Sequence, residues 1–155
     1  MMDNAALGTH IVCQVGLIVR DIERSIETYS RVFGMPKPGI VVTDGPEIAH
    51  TRFKGEPTDA RARLAFFEMG QVSLELIEPI GGPSTWQEFL DEKGEGVHHI
   101  AFIVEDTDEV VRFMEREDVG VVQQGDYTGG RYTYLDSASA LGVALELLEN
   151  FDSPS

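Results

Sequence analysis

Two stretches of the chain, QVGLIVRD (residues 14–21) and HIAFIVED (residues 99–106), carry a strand-like run of apolar residues and close on an aspartate. A helical pattern follows each: Ile22, Ile26, Tyr29 and Phe33 after the first, Val110, Phe113 and Met114 after the second, at spacings of three and four. Asp21 and Asp106 therefore read as N-caps. A second pair of strand-like stretches echoes the first. GQVSLELIE ends at Glu78 and LGVALELLE at Glu149, each with LEL centred on Glu75 or Glu146. Two matches in the same order point to internal duplication. Gln14 to Glu75 spans 61 residues and His99 to Glu146 spans 47, so the first half holds a surplus, placed at the turn-rich HTRFKGEPTDARA.

Between the halves lies IEPIGGPSTWQEFLDEKGEG. Gly81, Gly82 and Pro83 mark a loop, Ser84 with Gln87 has the spacing of a capping box, and Gly94 ends the short helix that follows. Trp86, Phe89 and Leu90 give that helix an apolar side. The expected organisation is a first βαβββ module over 10–78, a connector over 79–95 and a second βαβββ module over 96–150, one compact α+β domain. Residues 1–9 and the FDSPS tail are expected to be loose ends.

Strand alternation sorts the side chains by face. Val15, Leu17 and Val19, and likewise Ile100, Phe102 and Val104, are assigned to the face beneath the helices. Gln14, Gly16 and Ile18, and His99, Ala101 and Ile103, fall on the opposite, concave face, together with Glu75 and Glu146. His98, next to His99, is placed on the helix side as a structural imidazole. Glu78 and Glu149 are expected to face water. Two carboxylates, an imidazole and an amide oxygen make a mixed O/N donor set suited to one divalent ion: Zn, Mn, Co, Ni or Fe(II).

Composition narrows the setting. With 27 acidic against 12 basic residues among 155, the net charge is −15, which repels phosphate backbones and anionic membranes. No nucleic-acid or membrane partner is expected. Cys13 is the single cysteine, so no intramolecular disulfide or thiolate cluster can form. MMDNAALGTH lacks the basic start and apolar core of a signal peptide, and a cytoplasmic location is the expectation.

On these residues, and on RLAFFEMGQVSLELIEPIGG with FLDEKGEGVHHIAFIVED, the sequence resembles the vicinal oxygen chelate superfamily over nearly all of residues 10–150. Within it, the sequence looks most like methylmalonyl-CoA epimerase and its uncharacterised relatives. The resemblance implies paired βαβββ modules whose curved mixed sheet surrounds a metal, with ligands carried over onto Gln14, Glu75, His99 and Glu146. It implies an enzyme that removes a proton next to a carbonyl through an enolate, with Glu146 as base and Glu75 able to return a proton. The substrate would be a small acid, thioester or α-keto compound, and a homodimer is expected.

Two features depart from the epimerase pattern. Gln14 stands where epimerases of this type usually have His and animal-type glyoxalase I has Gln, and GGRYTYLDSASALG replaces the epimerase's usual segment before the last strand. Ile18 in turn replaces an Arg that helps that glyoxalase hold glutathione. The alternatives are a glyoxalase I-like lyase acting on a hemithioacetal and a non-catalytic small-molecule-binding member. Gln14 argues against the two-His-one-carboxylate iron site of extradiol dioxygenases. His50, Arg131 and Tyr134 are further candidates for substrate contacts, Arg131 because guanidinium suits carboxylate or phosphate.

Overall fold

The computed structural model describes residues 7–151, so most of the expected loose ends (1–6 and 152–155) lie outside the described residues. Strand β1 (Gln14–Ile18) leads into helix α1 (Ile22–Phe33), which begins where the Asp21 side chain accepts a hydrogen bond from the Arg24 amide at 3.1 Å. It stops at Gly34, whose left-handed conformation (φ 65°) returns its N–H to the Ser30 carbonyl. There follow β2 (Val41–Val42), a helical turn α2 (Pro46–Ala49), the short strands β3 (Arg52–Phe53) and β4 (Glu56–Pro57), and the long strands β5 (Arg61–Met69) and β6 (Val72–Ile80). Helix α3 (Thr85–Lys93) connects to β7 (Gly96–Ile103), α4 (Thr107–Arg116), β8 (Val121–Tyr127), β9 (Gly130–Leu135), α5 (Ala138–Leu141) and β10 (Ala144–Asn150).

Among the described residues the strands form one ten-stranded curled mixed sheet in the order β2-β5-β6-β1-β7-β10-β9-β8-β3-β4. β1 runs parallel to β6, β7 runs parallel to β10, and β1 meets β7 antiparallel at the centre. Order and direction thus repeat about the β1–β7 seam, as the duplicated sequence pattern predicts.

The convex face carries the helices. Ile22 and Ile26 of α1 pack on Val19, Phe67 and Leu76, and Val110 and Met114 of α4 pack on Phe102, Val104 and Leu147. Burying each such side chain contributes about 1.5–3 kcal/mol. A third cluster, with Ile18, Ile77, Trp86, Leu90 and Tyr134, lies on the concave side, where α3 seats its apolar side. Ser84 caps α3 by accepting from the Gln87 amide at 3.0 Å, as its spacing predicts, and Gly94 ends it. No helix among the described residues is long and apolar enough to cross a membrane.

Two expectations need correction. The segment around HTRFKGEPTDARA is not a local insertion: α2, β3 and β4 carry the chain from the β2 end of the sheet to the β8 end, where Arg52 pairs with Gln124 and Phe53 with Gln123. Its strands are two residues long and too short to show a period. Glu78 and Glu149 do turn to the convex face, but they are not simply solvated. Glu78 accepts from the Ile22 amide and Glu149 from the Thr107 amide, each at 2.9 Å, so each satisfies the first turn of its own half's helix.

Candidate functional site

Glu75 and Glu146 sit on the parallel neighbours of β1 and β7, and strand alternation turns both to the concave side. Gln14 and His99 reach the same point from the two central strands. His99 Nε2 lies 3.0 Å from Gln14 Oε1, 3.4 Å from Glu75 Oε1 and 3.2 Å from Glu146 Oε1. His99 is fully buried, and Glu75 and Glu146 nearly so. Gly16 faces His99 across the seam, and a β-carbon there would overlap the imidazole, so the close approach requires glycine.

The placement of His98 differs from expectation. Gly16 pairs with His99 while Leu17 pairs with Val97, which leaves His98 as the extra residue of a β-bulge. The bulge breaks alternation, so His98 lies beside His99 and not beneath α4. Its ring is 5.4 Å from Phe89 of α3 and 5.2 Å from Tyr134. His98 Nδ1 lies 3.0 Å from His99 Nδ1, and His98 Nε2 lies 3.0 Å from Thr85 Oγ1. Burial, then repulsion from His99 and Lys93, pushes the His98 pKa well below the usual histidine range. A neutral His98 accepts from His99 Nδ1–H and donates Nε2–H to Thr85, which leaves His99 Nε2 aimed at the carboxylates.

Burial alone would favour a neutral His99, but Glu146 and Glu75 outweigh it and raise its pKa to about 9. Burial raises Glu75 against the opposing hydrogen bond from His99. Glu75, His99 and Glu146 each offer one ligand atom, all within 4.8 Å of one another. The Gln14 amide has two usable orientations. With its oxygen inward it adds a fourth lone-pair donor, and with its nitrogen inward it can donate to Glu146 at 2.9 Å and Glu75 at 3.1 Å. Two anionic oxygens, an imidazole nitrogen and an amide oxygen converging in a buried space fit a divalent cation, which would take the place of the His99 proton.

A cavity of about 590 Å³ opens from this cluster. Leu64, Phe66, Ile77, Trp86, Tyr132 and Tyr134 supply much of its apolar wall, and the crossing segment adds Thr43, Asp44, Ala49 and Thr51. Tyr134 is nearly fully buried and accepts from Trp86 Nε1 at 3.1 Å. His50 and Arg131 do not line this cavity. His50 ends α2 in a left-handed conformation (φ 51°) and pairs at the rim with Asp126, Nδ1 to Oδ2 2.9 Å. Arg131 alternates away from Tyr132 and Tyr134 to the convex side, where Glu149 holds it at 3.1 Å and Asp108 at 3.4 Å.

Asp44, Thr51 and Asp126 join the cavity without a sequence signal: Asp44 and Thr51 lie in connections, and Asp126 lies in β8, which meets the first half only through the crossing. Trp86 both packs α3 and lines the cavity. Tyr132 and Tyr134, two apart in the turn-then-strand pattern GGRYTYL, both line the cavity.

Comparison with known proteins agrees with this architecture. Residues 13–134 match the family described as Glyoxalase/Bleomycin resistance protein/Dioxygenase superfamily. The chain is 34% identical over 95 residues to the uncharacterized protein YqjC of Bacillus subtilis (strain 168), covering 59% of this chain and 67% of that one. It is 27% identical over 149 residues to a 2-epi-5-epi-valiolone epimerase of Actinomyces sp, covering 91% and 80%. The crystal structure of methylmalonyl-CoA epimerase from Mycobacterium tuberculosis superposes with a TM-score of 0.65 at 23% identity, covering 99% of this chain and 94% of that one. At that identity the likeness concerns the fold.

Proposed function

The chain belongs to the glyoxalase/bleomycin resistance protein/dioxygenase superfamily, and on that premise we propose that it is a metal-dependent epimerase or isomerase acting next to a carbonyl. The observation that carries the reading is the convergence of Gln14, Glu75, His99 and Glu146 at the head of a cavity large enough for a small molecule. The epimerase relative supports the reaction type.

In this proposal Gln14, Glu75, His99 and Glu146 hold one divalent ion. When bound, the ion supplies Lewis-acid stabilisation of negative charge developing on the substrate oxygen. The chain's own residues move the proton. Glu146 takes it from the carbon next to the carbonyl, as general base. Glu75, across the pseudo-symmetric site, returns a proton to the opposite face. A carboxylate bound to a cation has a lowered proton affinity, so Glu75 would have to leave the ion to carry that proton. The apolar wall, with Trp86 and Tyr134, excludes water from the carbanion.

A glyoxalase I-like lyase uses the same proton transfer, and Gln14 at the first ligand position favours it as the second reading. In both, Glu146→Gln is expected to lower turnover by about 100-fold or more while the circular dichroism spectrum stays unchanged. Deuterium entry at the substrate α-carbon, followed by NMR with metal content measured in parallel, reads the step directly. Near-normal exchange in Glu146→Gln removes the assignment of the base.

A further inference from the structure

Resting on the proposed proton transfer, we propose that the substrate is an uncharged polyhydroxylated ketone or aldehyde, without phosphate, carboxylate or coenzyme A. The cavity wall carries this inference. Among the described residues that line it there is no lysine, arginine or histidine. Two nearby strand arginines are ion-paired on the convex face, Arg63 with Glu23 and Glu78 and Arg131 with Glu149 and Asp108, while Arg61 and Arg52 donate to the Thr43 and Gly55 carbonyls and neither lines the cavity. At the first turn of α3 the Thr85 and Gln87 amides are already taken by Gln123 and Ser84.

Away from the ion the charged side chains of the wall are negative. Glu75 and Glu146 neutralise the two positive charges of a divalent ion when both are ionised, and one charge remains while Glu75 carries its proton. Asp44 and Asp126 add carboxylates to the wall, Asp126 with one oxygen on His50 Nδ1 at 2.9 Å, on a chain of net charge −15. A phosphate or carboxylate entering this space would lose its hydration and meet anions, where recognition normally uses guanidinium, ammonium or a free helix N-terminus. A neutral polyol meets the opposite situation. Asp44 and Asp126 can accept hydrogen bonds from its hydroxyls, and Thr43, Thr51 and Thr128 offer hydroxyls of their own. The faces of Trp86 and Tyr132 can cover C–H groups. Adjacent carbonyl and hydroxyl oxygens would supply two neighbouring donors for the open metal positions. The reaction balances without any oxidant: one C–H bond breaks, the proton passes to ionised Glu146, the proton that Glu75 carries at the outset forms the new C–H bond on the opposite face, and exchange with solvent resets both carboxyl groups.

The test uses full-length, metal-loaded protein in deuterium oxide. α-Proton exchange is followed by NMR for matched pairs: dihydroxyacetone against dihydroxyacetone phosphate, and erythrulose and a pentahydroxycyclohexanone against methylmalonyl-CoA and a 2-keto acid. The expected kcat/KM is on the order of 100-fold higher for the uncharged members. Asp44→Asn with Asp126→Asn is expected to narrow that discrimination about tenfold, mainly through the KM of the phosphate. Faster exchange with the phosphate, the thioester or the keto acid overturns the substrate class and leaves the proposed proton transfer standing. Exchange with neither set, with the ion bound, overturns the proposed function and this inference with it.

Discussion

His98 and His99 are neighbours in sequence and hydrogen-bonded neighbours in the fold, and their chemistry is divided by what each nitrogen faces. His99 Nε2 looks toward Gln14, Glu75 and Glu146, while its Nδ1 looks to His98 Nδ1. An imidazole ligand is oriented by the partner of its other nitrogen. His98→Phe keeps an aromatic ring against Phe89 and Tyr134 but removes the acceptor, so it is expected to weaken divalent-ion binding about 10- to 100-fold without unfolding the protein. Competition with a chromophoric chelator measures this, and an unchanged dissociation constant would show that His98 only fills space. The inward direction of Gln14, Glu75, His99 and Glu146 was legible from alternation because their strands are regular at those positions. His98 was not, because a bulge is one extra residue in a pairing register, and register depends on the partner strand.

At the scale of elements, LELIE and LELLE show how one strand serves two faces. Residues three apart in a strand point to opposite sides, so Glu75 and Glu146 enter the cavity while Glu78 and Glu149 reach the helix N-termini. Each outer glutamate also has an arginine directly across the strand pair, Arg63 for Glu78 and Arg131 for Glu149. Arg131 is thus the counterpart of an arginine on the convex face of the first half, and a structural duty is expected of it. Arg131→Ala is expected to cost about 1–2 kcal/mol of unfolding free energy in urea, through loss of charge-assisted hydrogen bonds. In the same variant kcat/KM is expected to stay within about twofold of the parent; a large loss of kcat/KM at unchanged stability would return Arg131 to the substrate. Both long helices and α3 were readable from apolar spacing and caps. The α2–β3–β4 crossing was not, because its pairing with β8 joins distant parts of the chain through strands of two residues.

For the whole molecule, the buried cluster couples metal, protons and folding. In the metal-free protein the carboxylates raise the His99 pKa to about 9, above the value of about 6.5 it would have unfolded. Its contribution to stability is therefore fully present below about pH 6.5 and is lost as pH rises through about 9. Glu75 acts in the same direction, since its pKa is also raised. A divalent ion reverses the trend, because it needs the His99 lone pair and displaces the proton. The urea midpoint of chelator-treated protein is expected to fall between pH 6.5 and 9, while the stabilisation by a fixed ion concentration grows over the same interval. Calorimetry at pH 7.5 in buffers of different ionisation enthalpy should register about one proton released per ion bound. His99→Gln should abolish both the release and the pH-dependent part of the ion's effect. An ion affinity that is flat across this range would place the cation away from His99 and dismantle the four-residue site.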